Sequence, residues 1–186
     1  MSEKVVLERD DLRRALQRIA HEVAEKNPDP EGLALVGIHT RGAVLARRLH
    51  TLLGELTAVE LPIGDIDISF YRDDVGAKAP PRLAQPVVHA SHIDFDLTGR
   101  TVVLVDDVLF TGRTVRAAIE AVFDYGRPRR VQLAVLCDRG HRELPFRPDY
   151  VGKNLPTAPE ERVNVRLEEC DEVDEVTISE LVEVGA

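Results

Sequence analysis

The residues Val102-Val103-Leu104-Val105-Asp106-Asp107-Val108-Leu109-Phe110-Thr111-Gly112-Arg113-Thr114 run from an apolar stretch into two adjacent carboxylates and then into a Thr-Gly-Arg-Thr turn. Residues 101–105 have the length and β-branched content of a buried strand, and residues 113–124 read as a helix. In open α/β sheets ligands bind beyond the carboxyl ends of the strands. A turn glycine allows close approach there, and a helix start offers N–H groups and the positive end of its dipole to a phosphate. The hydroxyls of Thr111 and Thr114 add donors. Asp106 and Asp107 would repel a phosphate; they suit the hydroxyls of a sugar attached to it, or a bound Mg2+. Acids for a ribose diol beside amides for its 5′-phosphate describe a ribose-5-phosphate site. The plain alternative is a helix cap and an ordinary turn, but two idle acids at the end of so apolar a strand are costly. The sequence holds neither GxxxxGK[ST] nor GxGxxG, the competing phosphate motifs.

Outward from this strand the chain alternates strand and helix. Residues 10–26 form an amphipathic helix, with Leu12, Leu16, Ile19 and Val23 on one face. Residues 33–38 (LALVGI) are a buried strand, and residues 42–53 a helix with Val44, Leu45, Leu49 and Leu52 as its apolar set. Strand-like pieces fall within residues 57–69. Residues 73–86 read as a loop, 131–136 as a strand, 138–159 as irregular, and 163–167 and 175–178 as late strands. The expected class is α/β, a parallel sheet with helices on both faces. The whole chain, 1–186, has the length of one domain and shows no repeat or linker.

Apolar residues are 44% and charged residues 31%, a globular balance. No apolar run is long enough to span a bilayer, which rules out a membrane span, and no membrane partner is expected. The charged N-terminus is no signal peptide. Cys137 and Cys170 have no zinc-like spacing and read as free thiols of a reducing, cytoplasmic compartment. The net charge of −9 is uneven: residues 160–186 hold ten acids against Arg162 and Arg166, while seven bases face three acids between positions 127 and 153. A basic partner surface is therefore compatible with an acidic chain. No motif gives the acidic end a role.

The thirteen-residue string resembles the phosphoribosyl-pyrophosphate (PRPP) motif of type I phosphoribosyltransferases. Gly37-Ile38-His39-Thr40-Arg41-Gly42-Ala43 resembles that family's pyrophosphate loop. Ile66-Asp67-Ile68-Ser69-Phe70-Tyr71-Arg72-Asp73-Asp74 resembles its mobile flap. Val135-Leu136-Cys137-Asp138-Arg139-Gly140-His141-Arg142-Glu143-Leu144-Pro145 and Asp149-Tyr150-Val151-Gly152-Lys153-Asn154-Leu155-Pro156-Thr157 narrow the match to the bifunctional pyrimidine operon attenuator and uracil phosphoribosyltransferase, the PyrR family. The resemblance implies a type I phosphoribosyltransferase sheet flanked by helices, with a small hood and a mobile flap. It implies an enzyme that makes UMP and pyrophosphate from uracil and PRPP.

The same resemblance assigns Asp106 and Asp107 to the ribose hydroxyls. It gives Val108, Leu109, Phe110, Thr111, Gly112, Arg113 and Thr114 to the PRPP loop, and Thr40, Arg41 and Gly42 to pyrophosphate, in a loop with a non-proline cis peptide. Arg41 and Arg72 join the aspartates as catalytic candidates, Arg72 from the flap, which would exclude water during transfer. Mg2+ is the implied cofactor, held through PRPP and not by direct protein ligands. Purine-using relatives carry an acid where this chain has Phe110, and phenylalanine cannot assist a ring nitrogen; this points to uracil. Arg139 and the neighbourhood of Val163 are candidate base-pocket residues.

The first helix has a second face. From Arg13, the residues Gln17, His21, Arg14 and Arg18 spread over about 140° of the helix, away from the apolar set. Such a face is ordinarily just solvated. Arg142, Arg147 and Lys153 form another basic group, and His141 beside them reads as structural. The attenuator family uses such surfaces, brought together in a homodimer or higher homo-oligomer, to bind a pyrimidine operon leader mRNA in response to UMP or UTP, coupling pyrimidine supply to transcription termination. The resemblance therefore implies that Arg14, Gln17, Arg18, His21, Arg142, Arg147 and Lys153 contact RNA. The alternatives left open are a phosphoribosyltransferase without RNA binding and one acting on another pyrimidine.

Overall fold

The computed structural model describes residues 3–69, 71 and 91–180. In chain order the elements are β1 (Glu3–Leu7), α1 (Arg9–Lys26), β2 (Leu33–Ile38), α2 (Arg41–Thr57), β3 (Ile63–Ile66), β4 (Thr101–Leu109), α3 (Arg113–Val122), β5 (Arg130–Asp138), β6 (Tyr150–Asn154), β7 (Glu161–Arg166), α4 (Glu168–Asp171) and β8 (Glu175–Glu180). Five strands form one parallel sheet in the order β3-β2-β4-β5-β6.

All six residues of β2 are buried, as expected for a parallel strand covered on both faces. Alternation along the strands splits the core in two. Leu33, Leu35, Val103 and Val105 pack with α1 and α2. Ala34, Val36, Val102 and Leu104 pack with α3 on the opposite face. In α1 the whole expected apolar set is buried, while Arg13, Arg14, Gln17, Arg18 and His21 are exposed. From β2 the chain goes to β3 on one side, then returns to β4 on the other. The crevice between the ends of β2 and β4 is thus the switch point, where such sheets bind ligands.

The second sheet is the expected hood. It is antiparallel, in the order β1-β8-β7. Leu7, Val163, Val165, Leu167 and Val176 join it to the apolar cluster under α1 and α2.

Two expectations change, and one strand joins the expected set. Residues 138–159 are not irregular throughout: β6 is a fifth parallel strand pairing Ala134 with Tyr150 and Asp138 with Asn154. It is an edge strand in which only Tyr150 is fully buried, so it carries little apolar periodicity. β1 is short, with three exposed residues, and it forms only by pairing with the far end of the chain. β4 continues past Val105 to Leu109, so both acids lie inside a strand. Residues 70 and 72–74 of the expected flap lie outside the described residues, and so does the loop expected at 73–86.

Candidate active site

The ends of β2 and β4 are brought together by glycine. A Cβ on Gly42 would lie 2.4 Å from Val105 O, and one on Gly37 would lie 2.4 Å from Ala43 Cα. Any side chain at either position would push the start of α2 away from the sheet. The peptide between His39 and Thr40 is cis, as the resemblance implies. Thr40 is the exposed residue before α2, and Arg41 is its first residue.

Asp106 is buried and Asp107 half-buried. Val105 and Val108 both pack on the α2 side, so regular alternation is interrupted at the two acids. Asp106 Oδ1 accepts from Asp107 N at 2.9 Å, and Asp107 Oδ1 accepts from Val108 N at 2.7 Å. These bonds fix both carboxylates against their own backbone. Gly112, at φ +92°, turns the chain into α3, and no side chain caps that helix. Arg113 N donates to Thr111 Oγ1 at 3.3 Å. The first turn of α3 thus starts directly after the end of β4, with no side-chain cap beyond that Thr111 contact.

Phe110 is held between two side chains of the segment after β5. The Arg139 guanidinium lies 4.0 Å from its ring centroid, and the His141 ring meets it edge-on at 6.0 Å. Arg139 is buried and donates to Thr157 Oγ1 at 3.1 Å and to Ala158 O at 3.3 Å. Burial lowers its pKa, yet an arginine so placed stays charged at neutral pH. Val163 is a buried residue of β7 within the main apolar cluster, so its side chain belongs to the packing of the hood. Arg72 lies outside the described residues. The neighbouring Tyr71 donates its hydroxyl to Asp124.

The two basic groups expected to act together are neighbours. Arg18 Nη2 donates to Val151 O at 3.0 Å and Gly152 O at 2.6 Å, so α1 lies against edge strand β6, which carries Lys153. Arg18 thus also serves the fold, and Glu22 holds its other nitrogen at 2.8 Å. Arg14 pairs with Asp11 at 2.7 Å. Arg142 is more committed. It donates to Phe110 O at 2.9 Å, Phe146 O at 3.0 Å and Asp138 Oδ2 at 2.6 Å, tying the loop at Phe110 to the following segment. Arg147 lies on the rim of a pocket it shares with Arg142, Phe146 and Val151. His21, Arg147 and Lys153 are exposed.

Sequence reasoning gave no role to the acidic end. Asp171 of α4 grips Arg41 bidentately, at 2.7 Å from Nη2 to Oδ1 and 3.2 Å from Nε to Oδ2. Burial works to raise the Asp171 pKa, but the Leu167 N–H and Arg41 hold it below the usual value. Arg48 pairs with both Glu169 and Asp174, and Arg9 with Glu168. The available signal was charge complementarity between the arginines of α1 and α2 and residues 168–174.

The sheet order, the carboxylate pair and the uncapped helix start together define a phosphoribosyltransferase, and residues 6–169 match the model of the phosphoribosyl transferase domain. The bifunctional protein PyrR of a Roseiflexus species is 58% identical over 171 residues, 92% of this chain and 91% of its own. That of Deinococcus radiodurans is 56% identical over 173 residues, 93% and 92% of the two chains. The chain belongs to the PyrR family of phosphoribosyltransferases. Among solved structures, a hypoxanthine phosphoribosyltransferase of Trypanosoma cruzi superposes with a TM-score of 0.70 over 95% of this chain and 96% of its own at 19% identity, which shows the shared fold. No helix among the described residues is long and apolar enough to cross a membrane.

Proposed function

We propose that this chain, acting as one domain over 1–186, transfers the phosphoribosyl group of PRPP to uracil and also binds a pyrimidine operon leader mRNA when uridine nucleotides are abundant. The observation that carries the reading is the convergence of Asp106, Asp107, the α3 start and Arg41 on one switch point, in a chain 58% identical to a bifunctional protein PyrR. Asp106 and Asp107 take the ribose 2′ and 3′ hydroxyls. The amides of residues 111–114 and the hydroxyls of Thr111 and Thr114 take the 5′-phosphate. Thr40 and Arg41 receive pyrophosphate as it leaves. Arg139, stacked on Phe110, lines the base pocket.

The donor chemistry fits a magnesium complex of PRPP. The second oxygen of Asp107 has no hydrogen bond among the described residues, and carboxylates that bind a ribose diol tolerate the hard cation the diol also touches. Bound through the donor's own oxygens, Mg2+ supplies charge neutralisation for the leaving group. The protein's share is positioning and charge stabilisation of an oxocarbenium-like transition state. Phe110 offers no acid for a purine ring nitrogen, which favours uracil.

RNA binding falls to the α1 face with Arg14, Gln17, Arg18 and His21, and to Lys153 and Arg147 along edge strand β6. A second copy of the chain would double that surface. Both cysteines are free thiols, which suits a reducing cytoplasm.

The test measures turnover and RNA binding on the same preparations. Asp107→Asn should abolish UMP synthesis while leaving the leader stem-loop bound. Arg147→Ala and Lys153→Ala should leave turnover intact, weaken RNA binding and flatten its salt dependence. UMP should tighten the wild-type complex. Normal RNA binding by both basic variants would remove this surface from the reading, and full turnover by Asp107→Asn would remove the catalytic assignment.

A further inference from the structure

Three side chains given no role above converge beside the pyrophosphate loop. Asp65 Oδ1 accepts from His39 Nε2 at 2.6 Å and from His92 Nδ1 at 3.2 Å. One potential ligand atom from each residue lies within 4.8 Å of the other two. His39 and Asp65 are largely buried, at 19% side-chain exposure each, whereas His92 is 64% exposed.

The backbone fixes all three positions. Gly37 and Asp65 are register partners in adjacent parallel strands, and His39, two residues on, faces the same side. His39 N donates to Ile66 O at 2.9 Å. Asp65 and His92 exchange both backbone hydrogen bonds, at 3.0 and 2.9 Å, which sets their side chains directly opposite each other. Gly64 permits this approach, since a Cβ there would lie 2.6 Å from His92 O.

We infer that His39, Asp65 and His92 form a binding site for a divalent transition-metal ion of the zinc class, separate from the magnesium that accompanies PRPP. Two imidazoles and one carboxylate are a donor set for zinc, with a fourth position left to water. Magnesium demands oxygen ligands and disfavours this set. Ligands about 2.0–2.1 Å from a tetrahedral ion stand about 3.3 Å apart. The His92–Asp65 distance already has that spacing, and His39 reaches it by withdrawing less than about 1 Å. Both imidazoles aim at the same carboxylate oxygen, so the three donor atoms are already gathered in one place. The exposed His92 supplies the entry path. Bound metal would join the segment around His92 to the strand that carries the pyrophosphate loop.

The test uses the full chain stripped by chelation, then titrated with Zn2+ by calorimetry and with Co2+ by visible absorption. One ion per chain is expected, with the intense visible bands of four-coordinate cobalt. Asp65→Asn and His92→Ala should each weaken zinc binding by more than about 100-fold, beyond the 10–100-fold typical of losing an outer-sphere partner. His92 is exposed and Asp65→Asn preserves shape, and circular dichroism checks that both variants fold. Excess Mg2+ should not displace the zinc. Absence of saturable binding, unchanged affinity in either folded variant, or displacement by Mg2+ at comparable concentration would overturn the site.

Discussion

The guanidinium of Arg41 and the carboxylate of Asp171, 130 residues apart in sequence, form a bidentate pair with Nη2 and Oδ1 2.7 Å apart. Arg41 opens the helix proposed to receive pyrophosphate, and Asp171 belongs to the short helix after the hood strand β7. The pair fixes the direction of the fork, which matters when the fork must then meet phosphate oxygens. At 35% and 22% side-chain exposure, its direct contribution to stability is small, about 0.2–1 kcal/mol. Orientation is the larger effect. Asp171→Asn should raise KM for PRPP about fivefold, equivalent to about 1 kcal/mol, with a smaller change in kcat. Steady-state kinetics with PRPP varied at saturating uracil decides it. An unchanged KM would remove the positioning role, and a lowered KM would mean that Asp171 competes with pyrophosphate for Arg41.

Arg48 does the same work for the fold. Its Nη2 lies 2.7 Å from Asp174 Oδ1 and 2.5 Å from Glu169 Oε2, and Asp174 is only 10% exposed. Arg48 holds the Glu169 pKa below its ordinary value. Burial works to raise that of Asp174, but Arg48 and the Glu168 N–H outweigh it and hold it low. Both carboxylates thus have folded pKa values below their unfolded ones. Their stabilisation is complete above the ordinary carboxylate range near pH ~4 and is lost as the pH falls through the folded values. Arg48→Ala should cost about 1–3 kcal/mol at pH 7, between a surface pair and a buried one, with the half-exposed Glu169 contributing the lesser part. The gap between wild type and variant should close at lower pH. Urea unfolding at several pH values tests this, and a gap independent of pH would assign the loss to packing alone.

What could be read from the sequence divides along physical lines. β2, β4 and β5 are buried on both faces, so their apolar runs are visible without any partner. The turn at Gly112 is legible because a positive φ and an uncapped helix start leave a local signature. β1 and β6 owe their form to neighbours: β1 pairs with β8 across 170-odd residues of chain, and β6 borrows order from β5 and from Arg18. The Arg41–Asp171 pair and the His39–Asp65–His92 cluster are likewise hidden, because spacing along the chain says nothing of charges that meet only after the sheet has formed. Arg142 was legible as a charge but not as a brace. Its four backbone and side-chain acceptors, on Phe110, Asp138, Gly140 and Phe146, emerge only once residues 138–146 fold over the loop at Phe110.

The closeness of α2 to β4 makes a sharp prediction at Gly42. A Cβ there would meet Val105 O at 2.4 Å and Asp106 Cα at 3.1 Å. Both contacts are backbone, so no side chain can rotate away. Gly42→Ala should destabilise by about 1–3 kcal/mol through overpacking and should displace Arg41 and Asp106 together. Turnover should then fall by more than the stability loss explains, since a shift of about 1 Å at a positioned site can cost about 100-fold. Unfolding and kinetics on the same preparation separate the two effects. Wild-type kcat in a destabilised Gly42→Ala would show that this contact serves only the core.

Arg139 tests the base pocket. Its guanidinium stacks on Phe110 at 4.0 Å while its nitrogens are held by Thr157 and Ala158. That geometry needs a planar group that can stack with its face and donate with its edge. Lysine keeps the charge but has neither the plane nor the fork. Losing a desolvated cation–π contact costs about 2 kcal/mol, or about thirtyfold in affinity. Arg139→Lys should therefore raise KM for uracil by at least about tenfold and leave KM for PRPP near its starting value, because the proposed ribose and phosphate contacts lie on β4 and α3. Phe110→Leu should weaken uracil in the same direction, by removing the surface on which Arg139 rests. A loss shared equally between uracil and PRPP would place Arg139 in the scaffold of the loop and not in the pocket for the base.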